Sequence, residues 1–390
     1  MSEVVNIPQL RFPEFNGEWE EKALGVVATI TTGSTPSTSN NEYYDGDVAF
    51  VSPADIQGNR IVRSTKTTIT ELGLSVVREI KKRSTLFVCI GSTIGKVSQA
   101  GVNCATNQQI NALTAKNSFD NDFIYSLLEF KAPRIKLLAG VQAVPQINKS
   151  EFSRFKFTFP LLPEQQKIAA FLTAVDNKIE QLSKKQALLG EYKKGLMQQI
   201  FSQAIRFKAD DGSDFPDWKE NKVDEFMEVT RGQVLAVPEM RQVESEIFKY
   251  PVYSSQTKNN GLTGYYTDYL FEDCITWTTD GANAGDVNYR AGKFYCTNVC
   301  GVLRSKKGYA NLCIAQILNS VSRRYVSYVG NPKLMNNVME KIKISIPSSI
   351  NEQTKIANFL SSVDSKIEQV GKQLDESKQF KKALLQQMFV

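Results

Sequence analysis

The sequence predicts an α+β protein: two duplicated globular domains of mixed sheet and helix, separated by two long helices that pair as a coiled coil. Three observations carry this prediction. Residues 164–201 and 352–389 align without a gap and are identical at 20 of 38 positions. Both copies space their apolar residues in the 4,3 pattern of a helical seam. The regions preceding the copies share framing residues but not interiors.

At 390 residues the chain can bury two ordinary cores. A hydrophobic content of 42% with 23% charged residues is that of a globular protein. No apolar run reaches the length of a membrane span. The start, MSEVVNIPQLRFPEF, lacks the basic and apolar segments of a signal peptide, so the cytoplasm is the expected location. The expected division is a first globule over 1–160, a helix over 161–203, a second globule over 204–347 and a helix over 348–390.

Each globule opens alike. WEEKALGVVATITTG runs from Trp19 to Gly33 and WKENKVDEFMEVTRG from Trp218 to Gly232, both with tryptophan first and glycine last. Each closes alike too, in VPQINKSEFSRFKFTFP at 144–160 and NPKLMNNVMEKIKISIP at 331–347. Phe155, Phe157 and Phe159 match Ile342, Ile344 and Ile346 in the alternation of a strand, stopped by Pro160 and Pro347. Inside, GSTIG at 91–95 precedes Thr106-Asn107, and GANAG at 281–285 precedes Thr297-Asn298. The rest differs, which suggests two readouts of one kind of ligand.

In the first helix Ile168, Leu172, Val175, Ile179, Leu182, Leu189, Leu196 and Ile200 form the seam. In the second Ile356, Leu360, Val363, Ile367, Val370, Leu374, Leu384 and Met388 occupy the same frame. Gln186, Lys193, Ser377 and Lys381 interrupt it, and Gly190, Gly195 and Gly371 each cost about 1 kcal/mol relative to alanine. Helices so weakened need partners, and the simplest partner for each is the other. A 38-residue helix is about 57 Å long; a pair of that length fits a structural hairpin or dimer seam, and twin copies in one chain favour a spacer.

The absence of histidine excludes Ser-His-Asp and Cys-His triads, a histidine base and an HExxH zinc site. The six cysteines (Cys89, Cys104, Cys274, Cys296, Cys300, Cys313) contain no CxxC pair and are expected to be reduced and buried. No metal site is expected; the four-residue spacing of Cys296 and Cys300 is a weak zinc signal. GSTIGK at 91–96 falls short of a phosphate loop by one residue between its glycines, and Val97 replaces the required Ser or Thr. It is expected to be a turn. PDWKENK at 216–222 crowds its acidic residues beside Trp218, closer than a metal-dependent nuclease needs. No catalytic residue is assigned, and no FxGxG or Asp/Asn-Pro-Pro-aromatic motif of an adenine methyltransferase is present.

Net charge is +6, short of a strongly basic domain. The nucleic-acid signal lies in polar loops, because Asn and Gln can pair with adenine, Arg and Lys with guanine, and Ser and Thr with phosphate. In the first globule the candidate DNA-binding residues are Thr32, Ser34, Thr35, Ser37, Tyr43, Tyr44, Ser52, Asp55, Gln57, Arg60, Ser92, Lys96, Asn107 and Gln108. In the second they are Arg231, Tyr253, Ser254, Ser255, Gln256, Lys258, Thr278, Thr279, Asp280, Asn283, Asn298 and Arg323. Taken singly, each of these fits an ordinary polar surface loop better; the case for DNA rests on two globules held at a fixed separation.

Across essentially its whole length the chain resembles the specificity subunit of type I restriction–modification systems. The twin segments LLPEQQKIAAFL (161–172) and INEQTKIANFL (350–360) carry the resemblance most specifically. GSTIGKV…TNQQINAL (91–113) and ITWTTDGANAGDV…CTNVCGVL (275–303) look like the family's target-recognition domains. The resemblance implies that each globule is a target-recognition domain reading one half of a split, asymmetric site in double-stranded DNA. It implies that the helices form an antiparallel coiled coil, and that the chain is not itself an enzyme and carries no cofactor. The implied partners are two modification subunits, which hold S-adenosylmethionine, and two restriction subunits, which use ATP; no membrane is involved. The seam residues Ile168, Leu172, Val175, Ile179, Ile356, Leu360, Val363 and Ile367, with Lys193 and Lys381, are the candidate docking surface for partners. The second helix departs from the family in lacking a proline immediately before its start. A scaffold or anti-restriction mimic that reads no DNA, and a stand-alone nuclease, are the alternative readings.

Overall fold

The computed structural model describes residues 6–139, 145–255 and 258–390. The chain divides into two compact units, Met1–Ala187 with Gln369–Val390, and Leu188–Glu368. The long helices are thereby shared between the units, where the sequence had set them apart as spacers. They are continuous over Leu162–Phe201 and Ile350–Met388. The second starts three residues after Pro347, without a proline at its head.

In the first unit, the strand Glu20–Ala23 pairs antiparallel with Lys156–Phe159, the expected exit strand before Pro160. A five-stranded sheet follows in the order 28–32, 110–115, 85–88, 97–100, 61–62, and a three-stranded sheet in the order 67–69, 44–51, 104–106. The helix Asn121–Leu138 is capped by Asp120, whose carboxylate accepts from the amides of Asp122 and Phe123. One core joins Trp19, Leu24, Phe87, Phe123, Phe152 and Phe159 to Ile168 and Leu172 of the central helix and to Leu384, Leu385, Met388 and Phe389 of the C-terminal helix. Helix and globule share this core, which is why no boundary falls between them.

The helices run antiparallel here. Asp176 pairs with Lys381 at 2.6 Å, while Gln186, ten residues on, lies against Gly371, ten residues back. A Cβ on Gly371 would come within 2.7 Å of Gln186 Nε2, so this glycine permits close approach of the helices. Gly190 and Gly195 have open space around them, and nothing in the structure explains them.

The second unit repeats the plan. The strand Lys219–Lys222 pairs with Lys343–Ile346, and Ile342, Ile344 and Ile346 are all buried. A six-stranded sheet follows in the order 228–231, 300–304, 271–278, 287–296, 250–253, 262–266. The helix Leu312–Ser322 is capped by Asn311. Its core brings Val223, Trp277, Ile314 and Leu334 together with Ile200 of the central helix and Ile356 and Leu360 of the C-terminal helix. Lys193 pairs with Asp364 at 2.7 Å, the repeat counterpart of the Lys381–Asp176 pair.

Candidate nucleic-acid interface

Each globule is locked to its helix by the same small polar cluster. In the first unit Arg11 Nε and Nη2 donate to the two oxygens of Glu164 at 2.7 Å, and Trp19 Nε1 donates to Glu164 at 3.4 Å. Gln165 Nε2 donates to Pro160 O at 2.8 Å, and Gln165 Oε1 accepts from the Asp120 amide at 3.0 Å. In the second, Arg206 and Trp218 Nε1 donate to Glu352 at 3.1 Å. Gln353 Nε2 donates to Pro347 O at 2.8 Å, and its oxygen accepts from Asn311. Glu164 and Glu352 are both buried. The repeated Glu-Gln and the repeated tryptophan are visible in the sequence, but nothing local joins them. Their recurrence in both copies was the available signal.

The other framing residues also meet. Gly33 packs on Thr106 and Asn107, and Gly232 packs on Cys296 and Thr297; a Cβ at either glycine would collide with backbone oxygens. GSTIG and GANAG are one and the same turn. Gly91 and Gly95 have φ of +92° and +89°, as do Gly281 and Gly285, a left-handed backbone suited to glycine. Gly91 N donates to Pro145 O and Gly281 N to Pro332 O, both at 2.9 Å.

On this frame the candidate residues fall into three groups. Thr35, Ser37, Gln57, Ser92, Gln108, Arg231, Asn298 and Arg323 are exposed. In the first unit Thr35 Oγ1 donates to Gln108 Oε1 at 2.7 Å, which joins the loop after Gly33 to the turn at 106–109. Thr32, Ser34, Tyr43, Tyr44, Ser52, Asp55, Lys96, Asn107, Tyr253, Ser254, Ser255, Asp280 and Asn283 are partly exposed. Several of these shape their own loops: Asp55 accepts from Ser52 Oγ at 2.7 Å and from the Lys66 amide, and Tyr44 donates to Pro36 O. Gln256 lies outside the described residues, as does the side chain of Lys258.

Arg60, Thr278 and Thr279 are buried, contrary to the surface placement expected of them. Arg60 is a hub within the first unit. It donates to Gln99 Oε1 at 2.9 Å, pairs with Asp176 at 2.8 Å and Asp122 at 3.0 Å, and lies 4.7 Å from the Tyr125 ring centroid. Burial pushes the Asp122 carboxyl up, but hydrogen bonds from Gln99 and Arg83 and the Arg60 charge outweigh it and hold Asp122 below the usual carboxylate range. Thr279 Oγ1 is engaged with Val299 O and Asp280, so it fastens a loop.

The proposed docking residues also face inward. Ile168, Leu172, Ile356, Leu360 and Val363 are buried, and Val175, Ile179 and Ile367 partly so. Lys381 is buried between Asp176 and Glu129, and Lys193 is held by Asp364. Their positions on the seam make them internal contacts. The neighbouring Lys194 and Lys382 are the exposed members of those pairs.

In the second unit a cavity of about 250 Å³ is lined by Ser254, Asn260, Thr276, Thr278, Asp286, Asn288, Arg290 and Arg323. Arg290 was not singled out from the sequence, where it sits in an ordinary strand pattern. Its Nε donates to Thr276 Oγ1 at 3.0 Å, its Nη2 donates to Asn260 O at 2.6 Å, and its guanidinium stacks 3.8 Å from the Tyr253 ring centroid. All six cysteines are buried and free, and burial pushes the Cys89 and Cys104 thiols up to about 12. Among the described residues no group of three or more Cys, Asp or Glu could hold a metal ion, and no helix is long and apolar enough to cross a membrane.

Residues 16–189 and 216–377 match the type I restriction modification DNA specificity domain, once in each globule. The chain belongs to the type I specificity-subunit family. A Mycoplasma pneumoniae chain named as the N-terminus of a type I specificity subunit is 37% identical over 146 residues, 36% of this chain and 75% of that one. The MjaIX specificity subunit of Methanocaldococcus jannaschii is 24% identical over 266 residues, covering 65% of this chain and 61% of its own. Among solved structures, the type I S subunit from M. genitalium has the same fold, with a TM-score of 0.70 at 19% identity over 98% of this chain and 99% of that one. A second structure, from a study of complex assembly and conformational transition in a type I system, aligns with a TM-score of 0.55 at 15% identity over 95% of this chain and 97% of that one.

Proposed function

We propose that this chain is the sequence reader of a type I restriction–modification complex, with each globule recognising one half of a bipartite, asymmetric DNA target. The observation that carries this reading is the duplicated frame with unlike interiors. Both units share the Arg–Glu–Trp lock, the Gly-x-x-x-Gly turn and the central strand order, yet fill them with different loops and differently lined sheet faces. Two like scaffolds with unlike surfaces suit two half-sites of unlike sequence. The helix pair sets the spacing between the half-sites and docks two modification subunits on its exposed faces.

The chain itself performs no catalysis in this scheme. S-adenosylmethionine and methyl transfer to adenine belong to the modification subunits, and ATP-driven translocation and cleavage to two restriction subunits. Exposed loop residues such as Thr35, Gln108, Arg231 and Asn298 are the base and phosphate contacts. Affinity comes largely from the assembled complex, because a net charge of +6 offers little non-specific attraction by itself. The test is co-expression with the cognate modification subunit and sequencing of methylated adenines in the host DNA. A motif of two short half-sites around an unspecified gap is expected; a stable complex that methylates nothing would refute the reader.

A further inference from the structure

The two central sheets are built alike, and their strand registers align residue by residue. In the first unit Phe87 pairs with Val97 and Leu86 with Ser98 before the Gly91–Gly95 turn closes the hairpin. In the second Trp277 pairs with Val287, Thr276 with Asn288 and Cys274 with Arg290. Leu86, Val88, Ser98 and Ala100 therefore correspond to Thr276, Thr278, Asn288 and Arg290. In the first unit that sheet face is closed by an apolar cluster that includes Val51, Ile56, Leu86, Val88 and Ala100. In the second the same face is polar and hollow.

The hollow holds about eight times a water's 30 Å³ share of liquid volume. Arg290 in its wall is only 9% exposed and Thr276 2%. Thr276 Oγ1, Asn260 O and the Tyr253 ring hold the Arg290 guanidinium fixed at the wall of the hollow. The lining offers both signs. Arg290 is a fork of donors, and Asp286, held by Arg323 at 2.5 Å, is an acceptor. Arg323 neutralises Asp286, so charge alone does not exclude an anion, but a phosphate has no hydrogen to donate to the carboxylate and leaves that acceptor unused. Guanine fits both: its O6 and N7 accept from an arginine fork, and its N1–H and N2–H donate to a carboxylate.

We propose that this cavity receives a guanine swung out of the target half-site read by the second globule, with Arg290 and Asp286 as the residues that select it. The inference rests on the reading of the globules as DNA-binding domains. Because Arg290 is nine-tenths buried, the base enters the cavity; the side chain does not reach into a groove.

The test uses the wild-type chain assembled with its modification subunits, with duplexes carrying one substituted guanine at a time. 7-Deazaguanine removes the N7 acceptor and inosine removes the N2 donor. The expected result is one guanine, in one half-site, at which each substitution weakens binding about 5- to 100-fold. In Arg290→Lys the 7-deazaguanine effect at that position should disappear while the other half-site is still read. A half-site pair in which no guanine responds to both substitutions overturns the proposal, as does a response to 7-deazaguanine alone, which is ordinary major-groove readout. So does a 7-deazaguanine effect unchanged in Arg290→Lys. Loss of all sequence-selective binding by the wild-type complex would instead refute the DNA-reading function itself. The modified duplexes probe the unaltered protein, so the test survives a variant that fails to fold.

Discussion

Removing Glu164 should unfasten the first globule from its helix. Its side chain is 3% exposed, and Arg11, 13% exposed, donates to both carboxylate oxygens at 2.7 Å. Glu164→Ala leaves that part-buried guanidinium with only the Asn16 and Gly17 carbonyls, at a cost of up to about 3–5 kcal/mol, that of a broken buried pair. The counterpart Glu352→Ala should cost less, because Arg206 is 25% exposed and its bonds to Glu352 are longer, 3.1–3.3 Å, so water can replace the carboxylate. For units of this size about 2–4 °C of melting temperature is lost per kcal/mol. Calorimetry should therefore show Glu164→Ala lowering one transition by up to about 6–20 °C, with a smaller fall for Glu352→Ala. Both variants melting within a degree of the wild type would refute the lock. Equal losses would refute the argument from exposure.

Three further outcomes follow from the same geometry. Deleting 184–187 together with 370–373 removes facing residues, keeps the Asp176–Lys381 and Lys193–Asp364 pairs, and shortens each helix by about 6 Å. At about 3.4 Å per base pair the gap in the methylated motif should shrink by one or two pairs, and an unchanged gap would rule out the helices as the ruler. Asp122 has a folded-state pKa below its usual value, so the stability it lends is present above the unfolded carboxylate pKa of about 3.9 and is lost as pH falls through the lower folded value. Urea titrations of wild type and Asp122→Asn should thus differ constantly above about pH 5 and converge in stronger acid; a gap that widens on acidification would contradict this. The Cys89 and Cys104 thiols, raised to about 12 by burial, should resist alkylation at pH 8 in the native protein and react in denaturant; rapid native labelling would show that their cores open.

The long helices were legible because a 3.6-residue period repeated in two copies is hard to mistake, and both run through as continuous helices. Their allegiance was not legible. Ile168 and Leu172 satisfy a heptad seam and a globule's core with the same side chains, so the pattern could not say which partner they meet. The turns were recognisable as an echo of glycines, and the positive φ of Gly91 and Gly281 is the reason the echo exists. Strands as short as Ile61–Val62 leave no alternation to detect. Arg60 was misplaced because its partner Asp176 stands 116 residues away and nothing local marks the pair. Arg290 was missed for the opposite reason: in VNYRAG it occupies a strand position like any other, and only the register beside Cys274 and the stack on Tyr253 reveal what surrounds it.

Sequencing methylated adenines in host DNA after co-expression with the cognate modification subunit tests the central claim most directly. Two short, unlike half-sites separated by an unspecified gap are the predicted result, with changes in the second globule altering one half-site only. A continuous motif, a palindromic one, or methylation that ignores changes in either globule would contradict the two-headed reader.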